Sequence, residues 1–185
     1  MPVTYYKALK WNMRSHAFYP WREDKGFRYK IGETYNLTPT VSYPNNNVVV
    51  CQHGFHYCNR LYGVYSYFPE TSGTRVFVVE PGGATEYETD SVYRFRKYAC
   101  SVIRLVRELS RQEIFEVLEK ERKGLVKKWP YDKIDVPVDG WLPVSRIDDI
   151  IACLTESFAE SDRRHAKREY LYGSRRSRRN ECQRR

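Results

Sequence analysis

Apolar and polar positions alternate along the first part of this chain and recur at helical spacing along the last part. Residues 3–11 (VTYYKALKW) start aromatic and β-branched and predict a first strand. In residues 27–37 (FRYKIGETYNL), Phe27, Tyr29 and Ile31 alternate with polar neighbours, which predicts a half-buried strand, and Gly32 permits a bend or bulge. Val48, Val49 and Val50 form a short apolar run that predicts a buried strand. It is entered through a turn at Asn45, Asn46 and Asn47, because Asn tolerates left-handed backbone and bonds its own main chain. Residues 75–80 (RVFVVE) and 101–109 (SVIRLVREL) predict further strands, the first closed by a turn at Pro81, Gly82 and Gly83.

Leu61, Val64, Tyr65 and Phe68 recur three and four apart and predict a short helix over residues 59–67. Ser110 and Glu113 form a capping box, each satisfying an amide of the other, ahead of a helix whose apolar stripe is Ile114, Phe115, Leu118 and Leu125. A second box, Ser145 with Asp148, opens a helix striped by Ile147, Ile150, Ile151, Leu154 and Phe158. Residues 12–26, with Pro20 and Gly26, read as a loop, and residues 129–143, with Pro130, Pro137, Gly140 and Pro143, as a surface connector. The expected fold is therefore α+β: a small mixed or antiparallel sheet within residues 3–109, then two packed amphipathic helices. All of it belongs to one domain over residues 1–161.

Composition agrees with one core, since 185 residues at 41% hydrophobic suit a single domain, and 16 Tyr favour sheet. Charge changes the picture more. Residues 162–185 hold ten Lys and Arg against three Asp and Glu, a net of +7, which leaves 22 minus 20, or +2, for residues 1–161. The basicity thus marks a C-terminal arm. Its Arg163, Arg164, Lys167, Arg168, Arg175, Arg176, Arg178, Arg179, Arg184 and Arg185 suit phosphates or acidic protein surfaces, with Tyr170 and Tyr172 interleaved for stacking on bases.

Five Cys, at 51, 58, 100, 153 and 182, lack the spacing of a secreted disulfide scaffold and predict reduced thiols in a cytosolic setting. The first residues carry no apolar segment of the signal-peptide kind, and no run approaches the roughly 18 apolar residues of a membrane span. The expectation is therefore a soluble protein not exported by a cleavable signal.

Chemistry-bearing residues are densest at Cys51, His53, His56 and Cys58. These are zinc-ligand types, but eight residues would have to wrap all four corners of a tetrahedron, whereas structural zinc sites usually join two knuckles distant in sequence. The expectation is that Cys51 and Cys58 are small buried hydrophobes, that His56 is a core histidine bonded to a main-chain carbonyl, and that neither metal nor cofactor is held. No Ser-His-Asp arrangement, phosphate-binding glycine loop or H-E-x-x-H occurs.

The succession YYKALKW, GFRYKIGETY, VVCQHGFHYC, RVFVVEP and IRLVREL resembles a family of uncharacterised domains from bacteriophages, large DNA viruses and some bacteria. That family shows GFxYxxGxxY, CxxGFHxC and a closing VREL in the same order. The resemblance covers residues 4–119; Cys51, His56 and Cys58 match its motif and His53 does not. It implies a viral provenance, and with it a location in a virion or the host cytoplasm. From it and the basic arm follows the expected function, a non-catalytic viral structural or interaction protein such as a minor capsid component, gripping neighbouring proteins or nucleic acid.

The alternative is an enzyme. An early Tyr-Lys strand, a mid-chain glycine-aromatic motif and a late carboxylate resemble the layout of NAD-dependent ADP-ribosyltransferases, although GFHYC stands where many of them have Ser-Thr-Ser. That resemblance implies Tyr6 stacking on nicotinamide, His56 shaping the pocket and Glu108 bonding the ribose.

Overall fold

The alternation of Tyr5, Lys7 and Leu9 with Tyr6 and Ala8 gives the first strand, β1 (Tyr5–Lys10), two packing faces. In a computed structural model, residues 3–15, 26–45, 47–71, 73–90, 95–128 and 142–182 are described, residues 127–128, 142–143 and 168–182 by their backbone alone. The remaining elements are β2 (Thr34–Asn36), β3 (Phe55–Cys58), α1 (Leu61–Val64), β4 (Thr74–Thr89), β5 (Arg96–Glu108), α2 (Arg111–Lys128) and α3 (Leu142–Cys182). The fold is α+β: a five-stranded antiparallel sheet followed by two packed helices.

β1 pairs along its whole length with β4, from Tyr5 opposite Val79 to Lys10 opposite Thr74. It meets β3 at one pair, Tyr6 opposite Cys58. β5 lies along β4 on one edge and along β3 and β2 on the other. The order is β2-β5-β3-β1-β4, and the added β4–β5 pairing makes the sheet return on itself.

Strand alternation sends side chains into two cores. Tyr6, Ala8, Cys58 and Val76 pack with α1 and with Leu118, Ile147, Ile150 and Leu154 of the helices. Leu9, Phe55, Tyr57, Phe77 and Val79 form the other cluster with Tyr29. The stripe on α3 is as expected, with Ile147, Ile150 and Leu154 buried and Ile151 and Phe158 half-buried beside them. The Ser110 box also forms, the Ser110 amide donating to Glu113 at 2.8 Å and the Glu113 amide to Ser110 Oγ at 3.2 Å.

Several expected elements differ. Of residues 27–37 only Thr34–Asn36 is strand. Tyr29 is buried while Phe27 and Ile31 are not, because Gly32, at φ +84°, turns the chain and donates its amide to Leu105 O at 2.7 Å. Residues 48–50 are not a strand: Val49 bridges only to His53 across a tight loop through Cys51, whose φ is +66°. Pro81, Gly82 and Gly83 do not end β4. Pro81 and Gly82 stay paired with Ile103 and Val102, and Gly83 and Ala84 form a bulge opposite Ser101, with Gly83 at φ +67° and the Ala84 amide bonded to Ser101 Oγ at 2.9 Å.

The predicted helix over 59–67 shortens to α1. Ser145 is not a cap, since α3 already begins at Leu142, with Pro143 in its first turn where a missing amide costs nothing. Asn46, residues 16–25 of the predicted loop and residues 129–141 of the predicted connector lie outside the described residues.

Candidate functional site

A single β1–β3 pair leaves β3 without a backbone partner on most of that edge. There the Lys7 ammonium stands in, donating to the His56 carbonyl at 2.7 Å. Lys7 shares a strand face with Leu9, so it is carried into the protein and is only 7% exposed. Beside this gap opens a cleft of about 600 Å³, whose lining includes Lys7, Tyr29, His53, His56, Tyr67 and Lys97. Gly54 sits against the floor, where a Cβ would meet the Ala99 side chain at 3.1 Å and Val48 at 3.3 Å. Its φ of +141° also disfavours any other residue.

The electrostatics of the cleft are cationic. Burial pulls the Lys7 ammonium down to about 8, with the Cys100 and Cys58 thiols acting in the opposite sense and Lys97 adding to the depression. Burial, then the charges of Lys7 and Lys97, lowers the His56 imidazole to about 3. A neutral ring is what its contact requires, for His56 Nε2 accepts the Cys51 amide at 2.9 Å. Lys97 donates to Cys51 Sγ at 3.0 Å and lies 4.0 Å from the Tyr67 ring centre, while the Cys51 thiol donates to Glu88 at 3.3 Å. His53 stacks on Tyr43, 4.6 Å between ring centres and 7° from parallel.

Of the four ligand-type residues, near in sequence, two are joined directly, the His56 ring to the Cys51 main-chain amide. Cys58 is buried as expected, and burial pushes its thiol up to about 12. Cys51, expected to be a buried hydrophobe, is exposed, because the left-handed turn at that residue puts it on the cleft lining beside Lys97, its thiol turned to Glu88, which does not line the cleft. His56 was expected to bond a carbonyl; its ring instead accepts an amide, and it is the His56 carbonyl that takes the Lys7 bond. Among the described residues no group of three or more His, Cys, Asp or Glu is placed to hold a metal ion.

Of the residues implied by the transferase layout, Tyr6 and His56 both line the cleft. Glu108 does not; it stands at the end of β5, bonded to Arg75 Nε at 2.8 Å and to a second guanidinium nitrogen at 2.5 Å. The described cleft lining contains no Asp or Glu at all. In the basic segment, Arg163, Arg164 and Lys167 are exposed on α3, and Arg164 pairs with Glu160. Arg168, Arg175, Arg176, Arg178 and Arg179 lie within the same helix, and Arg184 and Arg185 lie outside the described residues.

Two residues that shape the cleft were missed in the sequence. Lys7 had a readable signal, a lysine between Tyr5 and Leu9 on an apolar strand face. Lys97 had none, since it stands in an ordinary charged stretch and reaches Cys51 only through the β3–β5 pairing.

Fold and cleft together define a small α+β domain with an open, cationic, aromatic-lined cleft at a gap in its sheet. Residues 3–117 match the family described as Domain of unknown function (DUF7666), and the chain belongs to that family. No curated protein and no solved structure matches it.

Proposed function

We propose that this is a non-catalytic attachment protein of a virus particle, whose body presents a basic helix to nucleic acid or to acidic neighbouring proteins. The observation that carries the reading is α3, one helix of 41 residues. Its last described contacts with the body are Phe158, ring to ring with Phe115 at 6.0 Å, and Asp162, paired with Arg111 at 2.8 Å. The helix then continues to Cys182, about 30 Å further at 1.5 Å per residue. Residues 163–182 hold eight Lys and Arg against two Glu, a net of +6.

Such a rod has little to offer the core and much to offer a polyanion. Each phosphate neutralised releases a counterion, which makes binding strong and steeply salt-dependent. The viral setting is supported by the motif order described above.

Deleting residues 162–185 tests the proposal. The Arg111–Asp162 pair is exposed and worth less than about 1 kcal/mol, so the truncated protein is expected to melt within a few degrees of the full chain. Its affinity for duplex DNA or RNA, measured by fluorescence anisotropy across a salt series, is expected to fall at least about tenfold and to lose most of its salt slope. Undiminished binding after truncation would remove the basis of the reading.

A further inference from the structure

We propose that the cleft at the β1–β3 gap is a binding site for a small organic anion, an aromatic ring bearing a carboxylate or a phosphate, held through the Lys7 ammonium. Three observations carry it, none of which involves the basic helix. Lys7 is more than nine-tenths buried and lines the cleft. An ammonium has three donors, and the hydrogen bond to His56 O uses one. Finally, among the described residues no carboxylate pairs with Lys7, and none lines the cleft.

A buried charge without a counter-charge is costly, and proteins usually pair it. Here the missing partner is an anion, and the cleft is where one fits. Lys97, which also lines the cleft, adds to the positive potential that acts with burial to keep His56 neutral. The ring is called for by the walls. Phe27 is half exposed at the cleft although it is the centre of an aromatic group, edge-on to Tyr29 at 4.8 Å, Tyr35 at 5.2 Å and Phe55 at 5.6 Å. The neighbours fix that ring and leave part of it uncovered, as a stacking surface requires.

A bland role competes: Lys7 could be present only to satisfy the His56 carbonyl where the ladder opens. The two roles separate on ligand binding and on the titration of Lys7. The groups facing Lys7 are His56 and Cys58 from β3, Lys97 and Cys100 from β5, and Tyr29 from the preceding loop. None supplies a negative charge at neutral pH unless a thiol ionises, and burial raises the Cys58 and Cys100 thiols. An anion docking beside the ammonium favours its charged form.

The experiment uses the full chain with four probes, benzoate and adenosine monophosphate against their uncharged counterparts, benzamide and adenosine. Calorimetric titration is expected to show saturable binding of at least one anion, about tenfold or more tighter than its counterpart, and Lys7→Met is expected to abolish it. The basic helix is unchanged in that variant, so the loss reports the cleft. In parallel, NMR of isotopically labelled lysine in the wild-type protein is expected to show the proton affinity of Lys7 rising about tenfold or more with the bound probe. That readout needs no variant, so it decides even where Lys7→Met fails to fold. Which anion wins distinguishes carboxylate from phosphate ligands. Equal binding of charged and uncharged probes, no saturation by either anion, or a Lys7 titration that does not move when a probe binds would each overturn the proposal.

Discussion

Replacing Glu121 by Ala is expected to cost about 3 kcal/mol, the penalty of stranding buried amides, and to lower the melting temperature by roughly 6–12 °C for a chain of this size. Glu121 projects from α2 and is 9% exposed. It accepts the Leu61 amide at 2.9 and 3.1 Å and the Tyr62 amide at 3.2 Å. Those are the first amides of α1, whose N-cap residue, Arg60, makes no side-chain cap bond. One carboxylate from 60 residues away therefore does the work of a missing local cap and ties α1 to α2. Glu121→Gln keeps a carbonyl oxygen for one amide and is expected to cost markedly less.

The same residue makes stability depend on pH. Burial raises the Glu121 carboxyl to about 7, against the opposing pull of the Leu61 and Tyr62 amides and Arg60. A group whose folded pKa lies above its unfolded value contributes stability that is fully present below the unfolded value, near 4.5, and lost as pH rises through about 7. The chain is thus expected to be more stable at pH 5 than at pH 8. The difference between about 7 and 4.5, at 1.36 kcal/mol per unit, bounds the effect at about 3 kcal/mol. Urea denaturation across that range, in wild type and Glu121→Gln, measures it. Identical pH profiles for the two proteins would show that Glu121 is not the group responsible.

Phe95→Ala is expected to destabilise by about 3–5 kcal/mol, the range for a large buried aromatic. Phe95 is fully buried and stands edge-on to Tyr62 at 5.9 Å and near-perpendicular to Tyr67 at 6.0 Å. Its ring presses on Gly63 so closely that a Cβ there would lie 2.5 Å from it. Gly63→Ala alone is therefore expected to cost about 1–3 kcal/mol through overpacking. Because the two changes share one contact, the Gly63→Ala, Phe95→Leu pair is expected to cost less than the sum of its singles. Strict additivity in denaturant melts of the four proteins would mean that the close approach is not what constrains Gly63.

What the sequence determined by itself is what depends on local period and local chemistry. The burial of Ile147, Ile150 and Leu154 was legible because one helical turn repeats every 3.6 residues whatever lies opposite. The Ser110–Glu113 box was legible because both partners lie within four residues. Ser145 misled because a cap also depends on where the backbone begins to wind, and α3 winds from Leu142. Pro81, Gly82 and Gly83 read as a turn because the same residues serve turns and bulges alike. Only pairing with β5 on both sides, up to Gly82 and again from Thr85, selects the bulge.

The cleft was decided by tertiary structure. Alternation states which face of a strand is buried, not which strand it will meet, so nothing local reveals that β1 and β3 share one pair and then part. Lys7 reaches the His56 carbonyl across 49 positions, Lys97 reaches Cys51 across 46, and Glu121 reaches Leu61 across 60. The dense run from Cys51 to Cys58 lies along the cleft. Its His and Cys side chains form no group of three placed to hold a metal, and what the fold adds there is Lys7 and Lys97, because closing the sheet carries a charged residue of β1 inside and leaves it facing the cleft.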